Sequence, residues 1–373
     1  MITAPDIQEL LHRETHGTPI VSIFLDLSVN SDNKRTHGVF LSRQRTHFEH
    51  PELERNGKRR SLETTLDAVE RWLADEFDES NRGAAIYAEL GGDVIAALQL
   101  PEPVANRIAI GEAPVVLPLL EVMQRESRHV VALVDREHLR LLALSFGRLM
   151  EERAFAPEAM HVPHDVQSGG YSQKNIQNRK AEEAKHFLKD FSDELGTFAG
   201  RHAPDGIVLL GTDENVARFR EQLPQSLDER VVHSGHVPGA GTAGEVIERL
   251  SPLFAERNRD RIAGTLQLLR ERVPENHFAV AGVQAVLDQL RQGNVETLVI
   301  GQGIDRAGSR CTQCDVLLDQ SAGSCPYCGG NTRDGVDLVE AMGRQAAAQD
   351  ARILFTPAGD TERFEGAAAL LRF

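Results

Sequence analysis

All four cysteines of this 373-residue chain fall between Cys311 and Cys328. That placement constrains the fold twice over. No disulfide can tie distant parts together, so every other region must be held by its own apolar core. The two pairs, Cys311-Thr-Gln-Cys314 and Cys325-Pro-Tyr-Cys328, stand ten residues apart and must fold back on one another if they share an ion. In a CxxC knuckle two thiolates reach one ion while backbone amides turn toward the sulfurs. Gly329-Gly330 suits the tight turn after the second pair. Four protein thiolates complete a tetrahedral set and leave no open position, so structural Zn2+ on Cys311, Cys314, Cys325 and Cys328 is expected. An iron–sulfur cluster is the metal alternative; four unrelated thiols or a redox pair are the non-metal ones.

Elsewhere the pattern is that of alternating strands and helices. Pro19 to Leu25 reads as a strand, and Ser61 to Phe77 carries Leu62, Leu66, Val69, Trp72 and Leu73 at helical spacing. Asn30 to Asn56 shows little periodicity and ends in Lys58-Arg59-Arg60, a solvated basic face on composition alone. Strands are expected at Ala84–Ala88 and Val94–Leu98. Pro101, Pro103, Pro114 and Pro118 then mark a loop and a domain border. Val130 to Val134 is a buried strand with Leu139–Leu144 as its hairpin partner, and Gly147 turns the chain again. A long helix from Lys174 to Phe198, a strand at Ile207–Leu210 and a helix introduced by Thr212-Asp213 continue the α/β grammar. The helical stretch Glu245–Glu271 leads to a last block: helix Val283–Leu290, strand Thr297–Ile300, helix Val336–Gln349, and strands at Arg352–Phe355 and Ala367–Leu371.

The net charge of −15 argues against a purely electrostatic nucleic-acid binder, since long-range repulsion of phosphate would oppose association. One local exception stands out. Gly169-Gly170-Tyr171-Ser172-Gln173 runs into a segment, Lys174 to Asp190, with five Lys or Arg against three acids. Glycines free the backbone to approach a ligand, an amide can orient a water, and the basic helix start suits RNA phosphates. Taken alone, the segment reads rather as a solvated loop before a helix, because a Gly-Gly dipeptide is a weak motif. His161, His164, His233 and His236 have no metal-ligand spacing and read as loop residues. The longest apolar runs are far too short to span a bilayer, and the N-terminus lacks the features of a signal peptide, so a cytoplasmic protein with no membrane partner is expected.

With these residues in place, the chain resembles the bacterial branch of the archaeal and eukaryotic class-one release factor and Pelota superfamily. The likeness rests on Phe278-Ala-Val-Ala-Gly282 through Leu290, on Gly293-Asn-Val-Glu296-Thr-Leu-Val-Ile300, and on the ending Gly366-Ala-Ala-Ala-Leu-Leu-Arg372-Phe373. Val134-Asp135-Arg136 and Gly147 precede the Gly169–Gln173 loop, which takes the place of that family's Gly-Gly-Gln loop. The resemblance covers Arg128 to Phe373. Two departures are plain. Tyr171 and Ser172 stand between the glycine pair and Gln173, as in Ser-Gln relatives that cleave tRNA, and the stop-codon signatures of the N-terminal domain are missing.

The resemblance implies an α/β fold of three domains. These are an N-terminal α/β domain (1–125), an RNase H-like middle domain (126–272), and a C-terminal α/β domain bearing the zinc knuckle pair (273–373). It implies a factor entering the ribosomal A site, near the peptidyl-transferase centre, and meeting tRNA and rRNA, with a translational GTPase such as elongation factor Tu as a candidate helper. Gln173, Gly169 and Gly170 would be catalytic in peptide release or tRNA cleavage, while Lys174, Arg179 and Lys180 would bind RNA. The alternative from the same resemblance is a non-enzymatic, Balon-like hibernation factor on idle ribosomes.

Overall fold

The computed structural model describes residues 4–13, 17–50, 53, 59–135, 138–156, 172–236, 241–321 and 323–373. The chain divides into two units, Met1–Arg125 with Arg259–Phe373, and Glu126–Asn258.

The N-terminal part of the first unit is an antiparallel sheet of β1 (Ile20–Asp26), β2 (Gly83–Glu89), β3 (Val94–Leu100) and β4 (Arg107–Gly111), in the order β3-β2-β1-β4. The apolar stripe anticipated on the helix Arg59–Asp75 is what covers it: Leu62, Leu66, Val69 and Trp72 are buried with Ile23, Leu25 and Ile86. Three elements were not anticipated. The polar stretch after Asn30 holds a helix, His37–His47, with Leu41 as its one buried residue, too few to leave a periodic trace. The proline-marked segment contains β4 and the helix Leu117–Gln124, whose Pro118 sits in the first turn, where a missing N–H costs nothing.

The second unit is a five-stranded sheet of β5 (His129–Val134), β6 (Leu139–Ser145), β7 (Arg148–Phe155), β8 (Gly206–Gly211) and β9 (Val231–Gly235), in the order β7-β6-β5-β8-β9. β5, β6 and β7 pair antiparallel, and β8 and β9 add in parallel on the other side of β5. This is the mixed α/β arrangement expected of the middle segment. One face is covered by Leu188, Phe191, Leu195 and Phe198 of the helix Ser172–His202. Val246, Leu250 and Phe254 of the helix Ala243–Arg272 cover the other. Phe254 stacks on His129 with centroids 3.9 Å apart, and among the described residues no hydrogen-bond partner meets the buried His129 Nδ1.

The C-terminal part of the first unit has a sheet of β10 (Ala279–Ala281), β11 (Val295–Gly301), β15 (Arg352–Thr356) and β16 (Ala367–Leu371), in the order β10-β16-β11-β15. A smaller sheet, β13-β12-β14, is made by β12 (Ala307–Cys311), β13 (Leu317–Leu318) and β14 (Thr332–Asp337). β14 occupies Val336 and Asp337, so the helix expected from Val336 begins at Leu338, with the Asp337 carboxylate accepting the Glu340 N–H. Gly308 has to be glycine, because a Cβ there would stand 2.3 Å from the Leu318 carbonyl oxygen.

The two ends of the chain are joined by a buried polar cluster. Glu340 accepts the N–H of Val116 at 2.8 Å and of Leu117 at 3.1 Å, at the free end of the helix Leu117–Gln124. Arg344 donates to the carbonyls of Pro114 and Leu11, and Tyr87 Oη donates to the Val115 carbonyl. Burial pushes the Glu340 carboxyl up to about 7, against the pull of the two N–H groups and of Arg344.

Two outcomes follow. Glu340→Ala strands two buried N–H groups and the Arg344 charge, and should cost about 3–5 kcal/mol in urea unfolding; Glu340→Gln keeps one acceptor and should cost about 1–3 kcal/mol. In the second unit, burial lowers His129 from 6.5 to about 4, with Asp205 opposing and Arg257 assisting. The unfolded chain therefore binds the extra proton first. The contribution is complete above pH 6.5 and lost as pH falls toward 4, about 2–3 kcal/mol in all. Thermal unfolding between pH 7 and 4 should show this slope, and His129→Leu should flatten it.

Candidate functional site

β12 delivers Cys311 to the start of the first knuckle, and the Asn331 carbonyl holds the Thr312 N–H at 2.9 Å. The chain then turns so that the N–H groups of Gln313 and Cys314 lie 3.4 and 3.5 Å from the Cys311 Sγ. The second knuckle closes through the Cys325 N–H on the Gly330 carbonyl and the Gly329 N–H on the Cys325 carbonyl. As a result all four sulfurs lie within 4.8 Å of one another, close enough to hold a metal ion. Sγ of Cys311 and Cys328 are 3.4 Å apart, and Sγ of Cys314 and Cys325 are 3.6 Å apart. Disulfides need about 2.0 Å. A tetrahedral ion with Zn–S bonds of about 2.3 Å spaces its sulfurs by roughly 3.8 Å, so the set is compatible with zinc.

The thiols are tuned unequally. N–H groups of Cys314 and Gln313 hold the Cys311 thiol down to about 6. Cys314 is pushed up to about 12: the Val316 N–H opposes the rise, while burial and the neighbouring thiols drive it. Four thiolates this close need a cation among them, which is the electrostatic requirement of a metal centre. Cys311 and Cys325 are buried, and Cys314 and Cys328 face outward.

Sequence reasoning missed how the knuckle is fastened. Tyr327, between the second pair of cysteines, donates from Oη to Asp288 Oδ1 at 2.7 Å, and Arg291 lies over its ring at 4.8 Å. Asp288 and Arg291 are on the outer side of the helix Val283–Gln292, whose inner side, Val286, Leu287 and Leu290, is core. An aromatic residue inside the CxxC was the available signal.

In the second unit, Gly169 and Gly170 lie outside the described residues, as do Tyr171 and the histidines His161 and His164. Gln173, Lys174, Arg179 and Lys180 fall in the opening turns of the helix Ser172–His202; their side chains lie outside the described ones. Helix therefore begins slightly before Lys174 and includes Gln173. His233, read from sequence as a loop residue, is instead on β9, with His236 just beyond its end. No helix among the described residues is long and apolar enough to cross a membrane.

Residues 114–255 match the model of the bacterial archaeo-eukaryotic release factor family 10. An uncharacterized protein of Mycobacterium tuberculosis is 22% identical over 241 residues, which are 64% of this chain and 64% of that one. The chain thus spans under two-thirds of the length of that curated relative. Peptide chain release factor subunit 1 of Pyrococcus abyssi is 21% identical over 98% of this chain and 96% of its own length. Among solved structures, Saccharomyces cerevisiae Dom34, a translation termination-like factor, aligns over 80% of this chain and 82% of its own, with 10% identity and a TM-score of 0.41.

The metal centre should bind one divalent ion per chain by elemental analysis. Chelation, or Cys311→Ser or Cys325→Ser at the buried positions, should lower the unfolding midpoint of the first unit. Full retention of stability after metal removal would contradict a structural role. Tyr327→Phe should cost about 1 kcal/mol in the metal-loaded protein.

Proposed function

With residues 114–255 belonging to the bacterial archaeo-eukaryotic release factors of family 10, we propose that this protein is a cytoplasmic translation factor that occupies the ribosomal A site without reading stop codons. The family match carries the reading, because it spans the Gly169–Gln173 loop and the basic helix start that follows. In this reading the three stretches 1–125, 126–272 and 273–373 act as separate functional domains, and zinc on the four cysteines has a purely structural part. The substrate is the peptidyl-tRNA of a stalled ribosome. Gln173 orients the attacking water or hydroxyl, Gly169 and Gly170 let the backbone approach the tRNA end, and Lys174, Arg179 and Lys180 contact phosphates of tRNA or rRNA. A translational GTPase such as elongation factor Tu would deliver the factor.

One observation favours a second reading, a hibernation factor that plugs the A site of idle ribosomes without chemistry. Tyr171 and Ser172 separate the glycine pair from Gln173, so a contiguous Gly-Gly-Gln is missing.

Despite its net charge of −15, the protein should co-sediment with ribosomes, with affinity falling as salt rises. If it is hydrolytic, Gln173→Ala should reduce peptide release or tRNA cleavage by about a hundredfold or more while leaving ribosome binding nearly intact. If it is a plug, the same change is silent, and neutralising Lys174, Arg179 and Lys180 together removes binding. A protein confined to the soluble fraction at low salt, in growth and in starvation, would refute both readings.

A further inference from the structure

A cavity of about 300 Å³ opens in the second unit where β8 and β9 end and the helix Ala243–Arg272 begins. In open α/β sheets the carboxyl ends of parallel strands are where ligands lodge, and β8 and β9 are parallel, with Leu210 opposite Gly235. The floor is apolar: Leu210, Val246, Leu250 and Leu253. The wall and rim are polar: His233, His236 and Arg249. Among the described residues, none of these three side chains has a hydrogen-bond or ion-pair partner. An unpaired guanidinium beside two imidazoles is unusual in a chain with 56 acids against 41 Lys and Arg. Gly235 leaves room for the His233 ring, since a Cβ there would stand 2.9 Å from His233 Nε2.

The dimensions and chemistry select among ligands. A volume near 300 Å³ is at the lower end for small-molecule sites and excludes a dinucleotide or an acyl chain. The guanidinium disfavours a metal cation on the two histidines. A planar ring can lie on the leucine floor against the His233 imidazole, while a dianion at the rim takes the forked donors of Arg249 and a ring N–H of His236. We propose that this cavity holds a nucleoside monophosphate unit, base inward and phosphate at Arg249 and His236, supplied either as a free nucleotide or as an unpaired nucleotide of RNA. None of the lining residues comes from the sequence 169–173, and the proposal stands whether or not the protein acts on ribosomes.

The test is calorimetric titration of the full chain, with the single Trp72 lying in the other unit and offering no local optical signal. The titrants are the four ribonucleoside 5′-monophosphates, the nucleosides, inorganic phosphate, and a 5′-phosphorylated trinucleotide RNA. At least one monophosphate should bind with Kd on the order of 0.1–1 mM, at least about tenfold tighter than its nucleoside or phosphate alone. Arg249→Gln should weaken it by about tenfold or more without moving the unfolding midpoint, because Arg249 is exposed. Leu253→Trp should abolish it by filling the floor. Tighter binding of the trinucleotide than of the monomer assigns the source to RNA, and the reverse assigns it to free nucleotide. The proposal fails if neither monophosphates nor trinucleotide bind, if phosphate alone binds as tightly, or if both variants bind like the parent chain.

Discussion

The Glu340 carboxylate is the interaction on which the architecture of the first unit turns. A helix start has N–H groups with no partner inside the helix, and that of Leu117–Gln124 is buried between the two ends of the chain. The segment before it has no serine, threonine, asparagine or aspartate to cap it locally; Pro114, Val115 and Val116 precede it. The cap comes instead from Glu340, more than two hundred residues later, which accepts both the Val116 and Leu117 N–H groups. Ser22 and Tyr87 hold Val115 from the N-terminal sheet, and Arg344 holds Pro114 from the C-terminal helix. The N-terminal sheet and the helix Leu338–Ala348, far apart in sequence, thus share one five-residue connector. Gln124, at the other end of the same helix, exchanges hydrogen bonds with both backbone groups of Phe355 on the edge strand β15. The helix is therefore bonded at its start to the helix Leu338–Ala348 and at its end to the strand β15.

This explains which parts of the fold can be read from sequence. Buried strands such as Val130–Val134, Ile207–Leu210 and Ala367–Leu371 announce themselves because both faces are covered and the run is apolar throughout. The helix Arg59–Asp75 shows because one side of it meets a sheet. Leu117–Gln124 does not, because its start is defined by a carboxylate from elsewhere and its prolines read as punctuation. His37–His47 buries a single leucine. β12, β13 and β14 are only two to six residues long, so local propensity has little to say about them. That the four cysteines come together was legible from spacing alone, whereas the Tyr327–Asp288 bond fastening them depends on the packing of two segments 39 residues apart.

The two candidate chemistries are of different kinds. Four thiolates would give a bound ion a closed coordination shell, with Cys311 and Cys325 buried and the knuckle tied to the helix Val283–Gln292 through Tyr327. Such a centre fixes a surface and leaves no ligand position for a substrate. Reactivity, if the protein has it, must then come from residues that are not held by a metal. That directs attention to the second unit, where polar groups meet the end of a parallel pair of strands and where the long helix begins.

The helix Ser172–His202 sets a physical condition on any role for Gln173. Among the described side chains, its core contacts are made by Leu188, Phe191, Leu195, Phe198 and Ala199. From Lys174 to Lys185 the sequence offers Ile176, Ala181 and Ala184 as its only apolar side chains, so there is no stripe with which to bury that half against a sheet. At about 1.5 Å per residue, some 22 Å of helix separates Gln173 from the first buried leucine. If Gln173 acts as proposed, the buried second half would set its position, and the Lys and Arg residues between 174 and 185 would lower the repulsion that the chain's overall negative charge imposes on a polyanion.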